Sequence, residues 1–293
     1  MYAYTAGRRA FEYANYAFLT LLSLACIFPL VHVLAISFSS SSAATAGLVT
    51  FWPVGFTTKS YQYILDDPSF IRSFGITLER VALGTAINMV LTVLIAYPLS
   101  KEARQFKFRT VYAWYFVFTI LLSGGLIPWY MTIKSTGIMD SIWALVLPGA
   151  VPVFNVILLL NFFRGLPKEL EESAFIDGSG YWGALWRIYV PLSMPSLATI
   201  LLFTIVGHWN AWFDGLILMN SPANYPLSTY LQTILTKINM SSLSTDQMKA
   251  LAAVSDRTAK AAQIFLGALP ILIVYPFLQR FFVKGIVMGS VKE

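Results

Sequence analysis

The chain has 293 residues, 57% of them hydrophobic and only 12% charged, with a net charge of +6 and a mean hydropathy of +0.67. Soluble domains carry about 25% charged residues, so there are too few charges to cover a water-exposed surface, and a cytosolic enzyme is excluded. An aromatic content of 15% excludes disorder, and a single cysteine, Cys26, excludes an internal disulfide or a multi-cysteine metal site.

The fold class that remains is an all-α polytopic membrane protein. A spanning helix needs about 20 mainly apolar residues, because the hydrocarbon is about 30 Å thick and a helix rises 1.5 Å per residue. Windows free of Asp, Glu, Lys and Arg lie within Tyr13–Thr58 and at Val81–Ser100, Thr110–Ile133, Ser141–Phe163, Ile188–Phe213 and Ala261–Gln279. They predict six spans, at about 13–38, 74–99, 110–133, 142–163, 191–216 and 261–283, making one transmembrane domain over 13–283. Residues 1–12 precede it and 284–293 form a tail.

In the first window the strongly apolar part ends near Phe38; Ser39–Ser42 and Phe51-Trp52-Pro53 read as loop. That apolar stretch exceeds a signal-peptide core and lacks a small-residue cleavage site, so it is expected to remain as a helix. Asp66-Asp67-Pro68 reads as a turn or helix cap. Ser123-Gly124-Gly125 with Pro128 predicts a break in the third span. Gly215–Thr236 is interrupted by Asn220, Pro222, Asn224 and Pro226 and reads as an external loop. That loop continues to residue 260, with a short helix expected from Met248 to Lys260.

Basic residues set the orientation. Arg8, Arg9, Lys101, Arg104, Lys107, Arg109, Arg164, Lys168, Arg187, Arg280, Lys284 and Lys292 fall on one side. They outnumber Lys59, Arg72, Lys134, Lys237, Lys249, Arg257 and Lys260 on the other, with Arg80 at a helix end. Both termini are therefore predicted to be cytoplasmic. The positive charge is a topology signal, and no nucleic-acid partner is implied.

The segment 164–190, between spans four and five, carries the densest pattern. Pro167 suits the first position of a helix, and Glu169, Glu171 and Glu172 suit its positive N-terminal end. Gly178-Ser179-Gly180 ends that helix, and a second runs from Tyr181 to Tyr189 before Pro191 opens the next span. Phe175, Tyr181, Trp182 and Trp186 fit either a membrane-interface belt or a knob for docking a soluble partner.

This loop resembles the EAA signature of ABC-importer permeases: Glu-Ala-Ala, three residues, Gly, nine residues, Ile, one residue, Leu-Pro. Here it reads Glu172-Ser173-Ala174, Phe175-Ile176-Asp177, Gly178 and, nine residues on, Ile188-Tyr189-Val190-Pro191, with Ser173 and Val190 as conservative departures. The longer string, with Leu192-Ser193-Met194-Pro195 following, looks most like the carbohydrate-uptake branch of the maltose-importer type.

The resemblance implies a type I importer permease with six transmembrane helices, in a bacterial cytoplasmic membrane. It implies partners: a second homologous permease, two ATPase subunits that bind the ATP and Mg, an extracytoplasmic solute-binding protein, and a carbohydrate. That carbohydrate is an oligosaccharide or polysaccharide fragment, acidic chains such as alginate included. No cofactor is implied for this chain, which has no phosphate-binding G-x-x-x-x-G-K-[ST] run. Glu171, Glu172, Ser173, Ala174, Asp177, Gly178, Ile188 and Pro191 become the residues that couple to the ATPase. The tail from Val283 to Glu293 resembles family tails that reach the same interface.

Polar residues inside spans are candidates for the translocation path, because burying them in lipid is costly. Asn155, Asn210 and Asp214, with Trp209 and Trp212 beside them, suit a sugar path of stacking rings and hydrogen-bonding groups. Asn88 and Asn155 also suit interhelical hydrogen bonds, and His208 suits a packing role. Two other classes compete. An intramembrane enzyme would need a constellation of His and carboxylates, whereas His32 and His208 lie in different spans. A secondary transporter would show broken helices in two repeats and intramembrane ionisable groups, which are not expected here.

Overall fold

The structure, a computed structural model, describes residues 6–236 and 256–290. All regular structure among these residues is helical. Three helices are each long and apolar enough to cross a membrane: α1 (Ala6–Ser37), α4 (Pro68–Ser100) and the last, Asp256–Ser290. Three pairs pass the same test together but are bent: α5 (Arg109–Leu121) with α6 (Leu126–Ser135) by 114°, Ile142–Gly149 with α8 (Val153–Arg164) by 45°, and α10 (Tyr181–Leu192) with α11 (Met194–Asn210) by 80°. Counting each pair as one span gives six, the number expected from the sequence.

The remaining helices are short. α2 (Ser41–Thr45) and α3 (Lys59–Leu65) follow α1; α7 (Ile142–Val146) runs into a 3₁₀ turn, Leu147–Gly149; α9 (Lys168–Ile176) precedes α10; α12 (Phe213–Leu218) and α13 (Leu227–Thr236) follow α11; and Asp256–Ser290 is α14. Several expectations are corrected. The serine run is loop only at Ser39 and Ser40; Ser41 and Ser42 open α2, which Ser40 caps, its hydroxyl accepting from the Ala43 amide, the usual work of serine at a helix start. The segment after residue 220 is largely helical in α13, because Pro226 ends the loop and an apolar stripe follows. The helix expected from Met248 lies outside the described residues up to Ser255, and its end, Asp256–Lys260, is the first turn of α14. The tail beyond residue 283 continues α14 to Ser290.

The chain divides into two compact units. One holds α1 to α3 with the early part of α14 up to Leu269; the other runs from Ile71 to Thr233 and resumes at Pro270. The first unit packs Ala35, Ile36, Ala43, Ala44, Val49 and Ala261. Within it, Ser39 ties Ala35 to Val54 through its hydroxyl, and Arg257 donates to the Ala44 carbonyl at the end of α2.

The core of the second unit is built from α4 (Val93, Ala96, Tyr97, Leu99), α8 (Val156, Leu159, Phe163), α10 (Leu185, Tyr189) and α11 (Leu197, Ile200). A smaller cluster joins Ile133 of α6, Ala144 and Leu145 of α7, and Leu218 of α12. Asp67 fulfils the expected cap, its carboxylate accepting from the Ser69 amide at 2.9 Å. Prolines inside long helices (Pro29, Pro98, Pro270 and Pro276) fit spans in which neighbouring groups can take up freed backbone.

Candidate functional site

Each break in a span frees carbonyls that lipid cannot satisfy. Between α11 and α12 the chain is extended at Ala211, and three carbonyls are taken up by side chains: Trp209 O by the Ser228 hydroxyl (2.5 Å), Ala211 O by Arg80 (3.2 Å) and Trp212 O by the Thr229 hydroxyl (2.8 Å). At the bend before α8, Asn88 donates to both Gly149 O (2.8 Å) and Ala150 O (2.9 Å). Its other amide atom faces His208 Nε2 at 2.9 Å. Gly84 makes that approach possible, since a Cβ there would lie 2.5 Å from His208 Cε1.

Arg80, expected at a helix end, is interior to α4. It is 2% exposed and pairs with Asp214 through both guanidinium Nη atoms. An ionisable pair inside a span therefore exists, contrary to expectation. Starting the second apolar window at Val81 hid it; a lone cation within a continuous helical run was the available signal.

Two cavities open beside this pair. One, of about 670 Å³, is lined among others by Arg80, Asn88, Asn155, His208 and Asp214. The other, of about 960 Å³, is lined by Ser123, Gly124 and Gly125 at the break between α5 and α6, with Asn210, Trp212 and Asp214. Asp214 and Trp129 border both. The expected break is real: Gly125 takes φ 85°, a left-handed conformation that glycine adopts without penalty.

Of the expected path residues, Asn210, Trp212 and Asp214 come together on the larger cavity. Asn155 lines the smaller one but spends its amide on the Thr204 hydroxyl at 3.3 Å. Trp209 departs from expectation: it is 5% exposed and borders neither cavity, its ring meeting Phe74 edge to face at 5.9 Å.

The segment 164–192 forms a second candidate site. α9 begins at Lys168 with Pro167 in the capping position, so the helix starts one residue later than expected. It ends in a Schellman motif: Ser179 N–H to Ala174 O at 2.9 Å and Gly178 N–H to Phe175 O at 3.1 Å, with Gly178 at φ 81°. Tyr181 then stacks edge to face on Phe175 at 5.1 Å. The second helix does not stop at Tyr189. It passes through a π turn, Leu185–Tyr189, and runs to Leu192, so Pro191 lies inside α10 and the next helix opens at Met194. The seal is at Ser193, which donates its backbone N–H to Tyr189 O.

Glu172, Ser173, Asp177 and Gly178 are exposed, Pro191 likewise, and Ala174 and Ile188 are half-buried. Glu171 is separated from them. It is buried, bonded to Lys101 Nζ at 2.5 Å and accepting from Tyr189 Oη at 2.8 Å. Lys101 Nζ also sits 4.0 Å from the Tyr97 ring centre and 4.1 Å from that of Tyr189. Burial pulls the Lys101 pKa below the ordinary lysine value, with Glu171 opposing. At the surface Lys168 pairs with Glu102, holding the carboxyl below its usual range and the ammonium above.

A family model described as binding-protein-dependent transport system inner membrane component matches residues 3–288. The chain is 40% identical to Protein LplC of Bacillus subtilis (strain 168), over 98% of this chain and 97% of that protein. It is 37% identical to the polygalacturonan/rhamnogalacturonan transport system permease protein YtcP of the same organism, over 97% and 99%. Among solved structures, it resembles a chain from a bacterial ABC transporter involved in the import of the acidic polysaccharide alginate, with TM-score 0.87 and 29% identity, covering 96% of this chain and 100% of that one.

Proposed function

The chain belongs to the family of binding-protein-dependent transport system inner membrane components, and from that premise we propose that it is the permease subunit of an ATP-driven carbohydrate importer. The cargo in this reading is an oligosaccharide or polysaccharide fragment, with an acidic chain favoured by the alginate importer it resembles. A binding protein outside a bacterial cytoplasmic membrane delivers the sugar. A second, homologous permease completes the path, and two ATPases bind ATP and Mg and perform the hydrolysis. Both termini and α9 face the cytoplasm, as the bias of basic residues requires.

The observation that carries this reading is the two-sided character of α9. Its outward residues, Glu172, Ser173 and Asp177, are free to meet another protein, while Glu171 on the inward side is bonded to α4 and α10. A displacement imposed on the outer face would therefore reach α4 and α10 through a charge-assisted joint, as a lever needs. At the far end of this lever, α11 leads to the cavity of Asn210, Trp212 and Asp214. There an aromatic face and the Asn210 amide suit a sugar ring and its hydroxyls.

The test is reconstitution of the chain with its sister permease, its ATPase and a sugar-loaded binding protein. Hydrolysis should be stimulated by the loaded binding protein only in the full assembly. Glu172→Lys should leave the chain folded in the membrane yet abolish the stimulation, and Gly178→Pro should do the same by denying α9 its left-handed terminus. Normal uptake by Glu172→Lys would sink the coupling role of α9.

A further inference from the structure

The ends of α4, α5 and α8 enclose, with α9, a cavity of about 490 Å³ whose arginines the coupling role does not use. Five cations stand on its wall: Lys101, Arg104, Arg109, Arg164 and Lys168. Two are neutralised, Lys101 by Glu171 and Lys168 by Glu102. The arginines are not. Arg109 donates to the Lys101 carbonyl at 3.2 Å and Arg164 to the Leu99 carbonyl at 3.1 Å.

These are neutral acceptors at the end of α4. They fix both guanidinium groups in place while offsetting only part of their charge. Arg109 Nε is buried and has no hydrogen-bond partner. Against three arginines the wall offers one remaining carboxylate, Glu172, on the exposed side of α9.

The cavity also sits at a defined depth. Ser100 ends α4, Arg164 ends α8 and Arg109 begins α5, so it lies where three spans leave the hydrocarbon. α5, which begins at Arg109, has no buried residue, and on the side of the helix turned away from Arg109 it exposes Val111, Trp114, Tyr115 and Phe118. An anion that filled the cavity and was anchored in the bilayer would match both the uncompensated arginines and this depth.

We propose that this cavity binds the phosphate headgroup of an anionic phospholipid, with Arg109 and Arg164 as the fixed ligands and Arg104 as an outer one, its acyl chains remaining in the surrounding bilayer. Basic pockets between spans at a membrane rim are the setting in which such headgroups bind. Arginine, with its planar fork, suits phosphate better than lysine does. The lipid would bridge α5 and α8 behind α9. This goes beyond the importer reading and holds whatever the cargo is.

The assembled transporter, placed in nanodiscs of phosphatidylcholine with and without phosphatidylglycerol, gives the test, read by native mass spectrometry of retained lipid. Wild type should retain phosphatidylglycerol in preference to phosphatidylcholine. Each charge removed, in Arg109→Gln and Arg164→Gln, should weaken that preference about fivefold. The double lysine variant should keep more of it than the double glutamine one.

Should the Arg109→Gln and Arg164→Gln variants fold poorly for want of the backbone bonds those side chains make, Arg104→Gln decides, because that side chain is exposed and its loss should still lower retention. Equal retention of the two lipids by wild type overturns the proposal, as does wild-type preference in the double glutamine variant or, where that variant does not fold, in Arg104→Gln. Displacement of the lipid by inorganic phosphate alone would assign the cavity to a soluble anion and overturn it too.

Discussion

Glu171 and Glu172 are adjacent in the chain and opposite in role. Read along the sequence, both belong to an acidic first turn, and nothing local separates them; the partner that does, Lys101, lies 70 positions away. Burial decides what each pair contributes. Removing one member of a buried pair strands the other charge in a low dielectric, which costs about 3–5 kcal/mol. Glu171→Gln is therefore expected to lower the melting temperature of the membrane-embedded chain sharply, and Lys101→Met with Glu171→Leu to restore most of the loss. Lys168→Gln breaks a pair that water screens and should leave the melt unchanged; a large shift there would refute the ranking. A second residue gives a pH dependence. Asp140 sits at φ 57° and accepts from the Asn224 side chain and from the Ser221 and Asn220 amides, which hold its carboxyl below the ordinary range. A depressed carboxyl contributes stability above the ordinary value of about 4 and loses it as pH falls through the folded value. Asn tolerates this backbone and cannot titrate. Melting wild type and Asp140→Asn from neutral pH downward should show the wild type losing ground only at acid pH; parallel curves would exclude the role.

The helices themselves were largely legible, since six apolar windows require no knowledge of packing. Their bends were legible only where glycine announced them. Ser123-Gly124-Gly125 pointed to the break between α5 and α6, but Pro148 and Pro152 were read as part of one span although they frame the 45° bend before α8. A hydropathy window registers apolar content and is blind to direction. The same blindness joined α11 to α12, whose break depends on Arg80, Ser228 and Thr229 arriving from elsewhere in the chain. Asn88 was correctly read as a tie between helices, though what it ties is backbone: the carbonyls of Gly149 and Ala150. Its link to His208 relies on the missing side chain of Gly84. Gly84→Ala should press a methyl into the imidazole, an overpacking cost of about 1–3 kcal/mol, and lower both the melt and transport. Adding His208→Ala should recover stability, giving a coupling term in a double-mutant cycle. Simple additivity of the two losses would show that the contact carries no strain.

At the scale of the whole molecule, exposure inverts its usual meaning. Only 11% of the apolar window of α1 is buried, against 39% for α4, which is permissible because lipid is as apolar as leucine. The polar groups instead turn inward to broken backbone and to the two cavities that share Asp214. Charge placement along the chain therefore reported the class of molecule, while the lining of the two cavities depended on long-range pairing. Within the larger cavity the structure separates two kinds of residue that sequence placed side by side. Asp214 is committed to Arg80; Trp212 is 39% exposed, its indole open to the cavity. Asp214→Asn should act through stability, since it leaves Arg80 inside the span without its counter-charge, and the melt should fall in step with uptake. Trp212→Ala should leave the melt unchanged and raise KM for sugar uptake in vesicles about tenfold, the loss of about 1.4 kcal/mol of stacking. Uptake kinetics identical to wild type in Trp212→Ala would remove the aromatic from the path, and a melt unchanged in Asp214→Asn would remove the need for its pairing with Arg80.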